Sequence, residues 1–249
     1  MWPAPPAPAA RKRALLRAAW HGDLQVLTWA VLQGSGGQSW DAPLCAAAAG
    51  GGSVEALQLL RGLGQLPCPW DSRACAAVAR AGHLHVLRWL REQQPPCPWD
   101  EDVCAAAARA GNVRVLKWLR EEQWLPCPWD ASACAAAAEA CHLHVLQWLR
   151  QQKPPCPLRC SVAAAAAKAG RLRVLKCLRQ QEPPRGRVLS VWDACVCSAA
   201  RAGHLHVLRW LRQQDPPCPW NLRVCSRAAA DAGHQQLLQW LEQQAPPCP

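Results

Sequence analysis

One phrase of about thirty residues returns along the chain, and a period on this scale is the signature of a repeat architecture. "CPWDSRACAAVARAGHLHVLRWLREQQ" begins at Cys68 and "CPWDEDVCAAAARAGNVRVLKWLREEQ" at Cys97, with related copies from Cys127 and Cys218. The small residue at the middle of each copy falls at Gly22, Gly52, Gly82, Gly111, Cys141, Gly170, Gly203 and Gly233. The intervals are 30, 30, 29, 30, 29, 33 and 30. That makes eight units, the first degenerate.

Each unit predicts two short helices. In the unit around Gly82, Asp71 follows Trp70 and can N-cap a helix over Ser72 to Arg80. Gly82 supplies the left-handed turn that ends it. A second helix runs from about His83 to Glu92, with Leu84, Leu87 and Leu90 in one apolar stripe and Val86 with Trp89 in another. So wide an apolar face needs neighbours on two sides. "QQPPCP" stops the helix, because proline cannot continue it. One such unit cannot bury its own face, but a stack of them can. The expected fold is an all-α solenoid of about eight stacked helix-turn-helix repeats with short Pro-rich loops. Residues 1–13 read as a disordered Pro/Ala/Arg leader, 14–244 as a single array and 245–249 as a flexible tail.

Composition agrees with thin layers. The chain has no Phe and no Tyr, but 15 Trp, 16 Cys and long alanine tracts, which suit close backbone approach better than a thick core. The formal charge of +11 permits an acidic partner, nucleic acid included. No apolar run reaches the ~18 residues of a membrane span. The start is rich in Pro, Ala and Arg and faintly resembles a transit peptide, though a plain leader before a first helix is the simpler reading.

"DEDVCAAAARAGNVRVLKWL" resembles a divergent ankyrin repeat. Cys104 stands where that family's TPLH tetrapeptide has leucine, and "GHLHVLRWL" from Gly82 and from Gly203 is similar to its second helix. The resemblance spans roughly residues 14 to 244. Two departures matter: the tetrapeptide is absent, and the unit is shorter than the family's ~33 residues. The family's projecting β-hairpin should therefore be shortened or lost, leaving tight turns. Tetratricopeptide repeats, with a longer unit and longer helices, fit less well. The resemblance implies protein–protein recognition and no catalysis.

Other chemistries find little support. Cys68 and Cys75, Cys97 and Cys104, Cys127 and Cys134, and Cys218 and Cys225 each sit seven apart, wider than the usual zinc spacers. Leu15 and Ala163 replace the helix cysteine elsewhere, as suits a small buried hydrophobe rather than a ligand. Equivalent cysteines in adjacent repeats should lie roughly 10 Å apart, beyond disulfide reach. Neither a metal nor any cofactor is expected, nor a small-molecule substrate. Sixteen thiols suggest a reducing compartment, so the expected location is intracellular, in cytoplasm or nucleus. His83, His142, His204 and His234 follow the turn, where the ring can serve the backbone; His85, His144 and His206, two residues on, should point elsewhere. The recurring tryptophans read as core ladders. No phosphate loop, nucleophile elbow or carboxylate pair is present.

Two surfaces remain as candidates. Loop tips and the exposed side of the first helices vary in identity at Arg73, Arg80, Glu101, Asp102, Arg109, Glu139, Lys168, Arg201 and Arg223, and Trp124 stands alone in its loop as an interface anchor. These would bind another protein, with the chain itself a monomer. The alternative is electrostatic docking on nucleic acid, an acidic protein or an anionic membrane surface. Its face would be Arg61, Arg91, Arg120, Arg150, Arg179 and Arg212, nine residues after each turn residue, with Arg88, Lys117, Lys176 and Arg209 three earlier. Stacked at a helix spacing of ~10 Å, the six arginines would form a column about 50 Å long.

Overall fold

The computed structural model describes residues 8–33, 41–62, 68–121, 126–153, 155, 160–181, 188–214 and 221–244. The fold is an all-α helical-repeat solenoid. Among the described residues there is no strand, and no helix is long and apolar enough to cross a membrane. The residues fall in two compact units, Met1–Pro128 and Trp129–Pro249.

The first unit holds four helix pairs: α1 (Pro8–His21) with α2 (Leu24–Gln33), α3 (Ala42–Gly51) with α4 (Val54–Gly62), α5 (Ser72–Ala81) with α6 (Leu84–Glu92), and α7 (Glu101–Arg109) with α8 (Val113–Glu121). The second holds four more: α9 (Ala131–Ala140) with α10 (Leu143–Gln151), α11 (Cys160–Lys168) with α12 (Leu172–Gln181), α13 (Val188–Arg201) with α14 (Leu205–Arg212), and α15 (Leu222–Asp231) with α16 (Gln235–Glu242). Helix α1 begins at Pro8, not after residue 13 as the leader reading had it. Ala, Arg and Leu are strong helix formers, and proline is tolerated in a first turn.

Caps and turns explain the boundaries. Asp71, Asp100 and Asp130 each accept a hydrogen bond from the backbone N–H two residues on, at 3.0, 3.1 and 2.7 Å. Each cap satisfies one of the orphan donors of a helix start. At the other end Gly82 has φ +83° and Cys141 φ +68°. Cys141 is the one non-glycine residue at positive φ among those described.

First helices pack in a row: α1, α3, α5 and α7 in one unit, and α9, α11, α13 and α15 in the other. Alanine and cysteine at the contacts let these backbones approach, and Ala74, Cys75, Val78 and Ala79 of α5 are fully buried. The second helices seal one side of the row through Val86, Leu87 and Leu90 and their equivalents, such as Val115, Leu116 and Leu119. Burying each such leucine stabilises the fold by about 1.5–3 kcal/mol. The last pair turns a polar side outward, with Asp231, Gln235 and Gln236 exposed.

Candidate binding surfaces

The CPWD loop decides which side chains are free to bind anything. Its prolines carry no N–H, so the segment is short of donors. The cysteine stands at the centre of the solution. The backbone N–H of Cys97 donates to the Leu90 carbonyl at 3.0 Å and its Sγ to the Asp71 carbonyl at 3.4 Å. Its own carbonyl accepts from Arg91 Nη1 at 2.7 Å. Cys68 repeats this with Leu60, Asp41 and Arg61, and Cys127 with Leu119, Asp100 and Arg120. The same guanidiniums cover the next tryptophan: Arg61 lies 3.6 Å from the Trp70 ring centroid and Arg91 3.9 Å from that of Trp99. Trp70 in turn meets Trp89 edge to face at 6.1 Å, and Trp99 meets Trp118 at 6.2 Å.

This corrects the reading of the basic face as one outward stripe. Arg61, Arg91 and Arg120 are half-buried and hold the loop that follows them, because proline leaves the cysteine carbonyls without backbone partners. Arg179 and Arg212 are also half-buried, and Arg179 sits 5.5 Å from the Trp192 ring. Arg88, Lys117, Arg150, Lys176 and Arg209 are exposed. The tryptophans are corrected too. Trp192 and Trp118 are buried, but their ring partners Trp210 and Trp99, and both rings of the Trp70–Trp89 and Trp129–Trp148 pairs, are only half-buried, so the rings do not form one core ladder.

The candidate residues on the first helices fall into two groups. Arg73, Glu101, Asp102 and Arg223 lie in first turns and are exposed. Arg73 is occupied: its Nε donates to Asp71 Oδ2 at 2.8 Å, and that carboxylate raises the pKa of the guanidinium further. Arg80, Arg109, Glu139, Lys168 and Arg201 share one register, two residues before the turn residue. Helices of nine or ten residues separate the two groups by roughly 12 Å. Trp124 lies outside the described residues.

At four of the turns the residue that follows staples neighbouring repeats. His204 Nε2 lies 2.9 Å from the Lys168 carbonyl, and His234 Nε2 3.1 Å from that of Arg201. Asn112 Nδ2 donates to the Ala79 carbonyl at 2.9 Å, and Arg171 Nε to that of Glu139 at 3.0 Å. The second histidine of each pair does not point elsewhere. His83 and His85 meet edge to face at 5.9 Å, and His85 Nε2 lies 3.2 Å from the Gly52 carbonyl. His83 is an N-cap at φ −80°, ψ 73°, outside the helix, so helical spacing does not separate the rings.

Thiols line the interior. Hydrogen bonding to the Cys68 thiol and burial push Cys45 up; Cys97 and burial do the same for Cys75, and Cys104 and burial for Cys127. Burial pushes Cys225 up to about 12. Protonated buried thiols are poor nucleophiles and poor metal ligands. Among the described residues no three His, Cys, Asp or Glu side chains gather where a metal ion would fit. Sequence reasoning missed the three-way cysteine, although its signal was present: an arginine precedes Cys68, Cys97 and Cys127 by six or seven residues. It also missed an open groove of about 520 Å3 in the second unit, lined by Lys168, Ala194, Cys197, Ser198, Arg201 and Ala202.

No family model matches the sequence, and no curated protein matches it. The structure is similar to the crystal structure of the pentatricopeptide repeat protein PPR10 from maize, at 17% sequence identity and a TM-score of 0.39. That match covers 94% of this chain, which spans 38% of the maize protein's chain.

Proposed function

We propose that the chain is a non-catalytic scaffold of ankyrin-like repeats that binds a partner protein through its loop tips and the exposed side of its first helices. The observation that carries this reading is a contrast between interior and exterior. Three and four residues before the turn residue, the side chains are small and buried in every repeat but the last, where Ala230 is exposed, as in Val78 with Ala79, Ala107 with Ala108 and Ala166 with Ala167. One position later the repeats from Gly82 onward carry charges of either sign: Arg80, Arg109, Glu139, Lys168, Arg201, Asp231. Varying charge on a constant frame is how a repeat surface acquires specificity. The ankyrin-like character is supported by the helix, glycine turn, helix order and by the histidine after the turn serving the neighbouring backbone.

A second reading keeps the second helices as a docking face for a polyanion. Exposure of Arg88, Lys117, Arg150, Lys176 and Arg209 favours it. The carbonyl bonds of Arg61, Arg91 and Arg120 weaken it, since part of each donor fork is already used. Affinity capture from the source cell at low and high salt separates the two. The scaffold should lose affinity only gradually with salt and should lose its partner when Arg80, Arg109, Lys168 and Arg201 are reversed in charge. A polyanion reader should lose affinity steeply with salt and should depend on Arg88, Lys117, Lys176 and Arg209. Loss through the second-helix changes alone would overturn the scaffold reading.

A further inference from the structure

We infer that the groove between α11 and α13 is a docking site for an acidic peptide segment, whose carboxylates are gripped by Lys168 and Arg201. This rests on the scaffold reading and names the chemistry of its partner at one site. The two cations come from equivalent positions of neighbouring repeats, 33 residues apart in sequence, yet they line one cavity. Both side chains are exposed, and no described carboxylate lines the groove. Ser198 adds a hydroxyl donor, while Ala194 and Ala202 give small apolar walls against which an aliphatic stem can lie. The volume of about 520 Å3 lies within the ~300–1,000 Å3 range of ligand-sized clefts.

The site is held in advance. His204 lies within hydrogen-bond distance of the Lys168 carbonyl and His234 of the Arg201 carbonyl, so each helix end that carries a cation is fixed to the next repeat. Less ordering is then needed on binding. The charge row selects the class of partner. In the second unit the same position reads Glu139, Lys168, Arg201, Asp231: negative, positive, positive, negative. First helices pack at about 10 Å, so a continuous phosphate backbone lying along the row would meet a carboxylate on either side of the two cations. A short acidic segment meets only the cations. Like charges flanking the site are a repulsive element of the kind that sharpens specificity.

The test uses the full chain and a fluorescein-labelled glutamate-rich peptide, followed by anisotropy. Lys168→Glu with Arg201→Glu should weaken binding by about tenfold or more, the effect of removing charge-assisted hydrogen bonds. Lys176→Glu with Arg209→Glu makes the same change in net charge on the second helices of this unit and should leave binding within about twofold. Cys197, half-exposed in the groove, provides an internal reporter. Bound peptide should slow its alkylation by N-ethylmaleimide and leave Cys141 and Cys177 unchanged. Equal weakening by both charge reversals, or equal protection of all three thiols, would overturn the site. So would protection of Cys197 by a single-stranded oligothymidylate as strong as that given by the peptide. Capture of a cellular partner that survives Lys168→Glu with Arg201→Glu would sink the groove and leave the scaffold reading standing.

Discussion

Cys97 bonds through three atoms to three places: a helix end behind it, a helix start in the preceding repeat and the guanidinium of Arg91. Arginine is needed here because its planar fork donates to the carbonyl while its flat face lies over Trp99. Arg91→Lys keeps the charge and loses both geometries. It should lower stability by about 1–2 kcal/mol in a denaturant titration, the scale of a charge-assisted bond plus a cation–π contact. A midpoint equal to wild type would show that the clamp contributes nothing. Only the spacing of arginine and cysteine was legible in the sequence, not the bonds between them. A recurring cysteine announces a role but not the direction of its bonds, and an arginine on a helix face reads as solvated until the loop folds back onto it. The turn residue was legible, since only the left-handed region joins helices this closely. Cys141 occupies that region at φ +68°, which costs its Cβ roughly 1 kcal/mol. At Gly203 there is a second reason for glycine: a Cβ would lie 2.7 Å from the His234 ring. The repeat after Cys141 brings Arg171 instead, a flexible chain that can move aside. Cys141→Gly should therefore raise the melting temperature by a few degrees; a lower one would mean that the thiol packs usefully.

At the scale of the helix the sequence was informative because two periods coincide in it. The 3.6-residue pattern picks the buried stripe, and the thirty-residue pattern confirms it in other copies. Leu87, Leu116, Leu146, Leu175 and Leu208 hold one register five residues after the turn, and all are buried. Leu116, at 0% exposure, serves as the test case. Leu116→Ala should cost ~2–5 kcal/mol, the large-to-small range for a packed core. A change below about half a kcal/mol would contradict the burial. What the helix pattern could not supply was the start of α1. Composition rich in proline reads as a leader, yet Ala, Arg and Leu after Pro8 are good helix formers, and Leu15, Ala18 and Ala19 find cover in the first unit. Nor could it show the groove at Lys168 and Arg201. Each residue is an ordinary exposed cation in its own helix, and the two meet only when neighbouring repeats are laid side by side.

Over the whole molecule, thiols outnumber aromatic rings among the buried side chains described, and this gives the fold a sensitivity to alkali. Burial holds the Cys225 pKa at about 12 against an ordinary value of 9.0. The unfolded chain loses that proton near pH 9, whereas the folded chain keeps it. Cys225 therefore contributes stability in full below pH 9 and loses it progressively as pH rises toward 12. Under reducing conditions the denaturation midpoint should fall across this range, and the fall should be shallower in Cys225→Ala; identical slopes would show that burial does not hold the proton. Lysines titrate in both proteins and cancel from the comparison. The bonds that join repeats have a further consequence for how such a chain grows. Where these bonds are described, a copy brings a donor for the copy before it, a thiol as at Cys68 and Cys97 or a post-turn side chain as at Asn112 and His204, and an arginine for the loop that follows, as at Arg61 and Arg91. A gene segment of one period, inserted in frame anywhere the CPWD text is intact, thus arrives with every partner it requires and asks nothing new of its surroundings. Duplication is close to silent for the fold, and selection is left to edit only the exposed letters. The stretch from Glu182 to Trp192, where the Cys-Pro pair is missing and the interval stretches to 33, is the place where such copying would leave a seam.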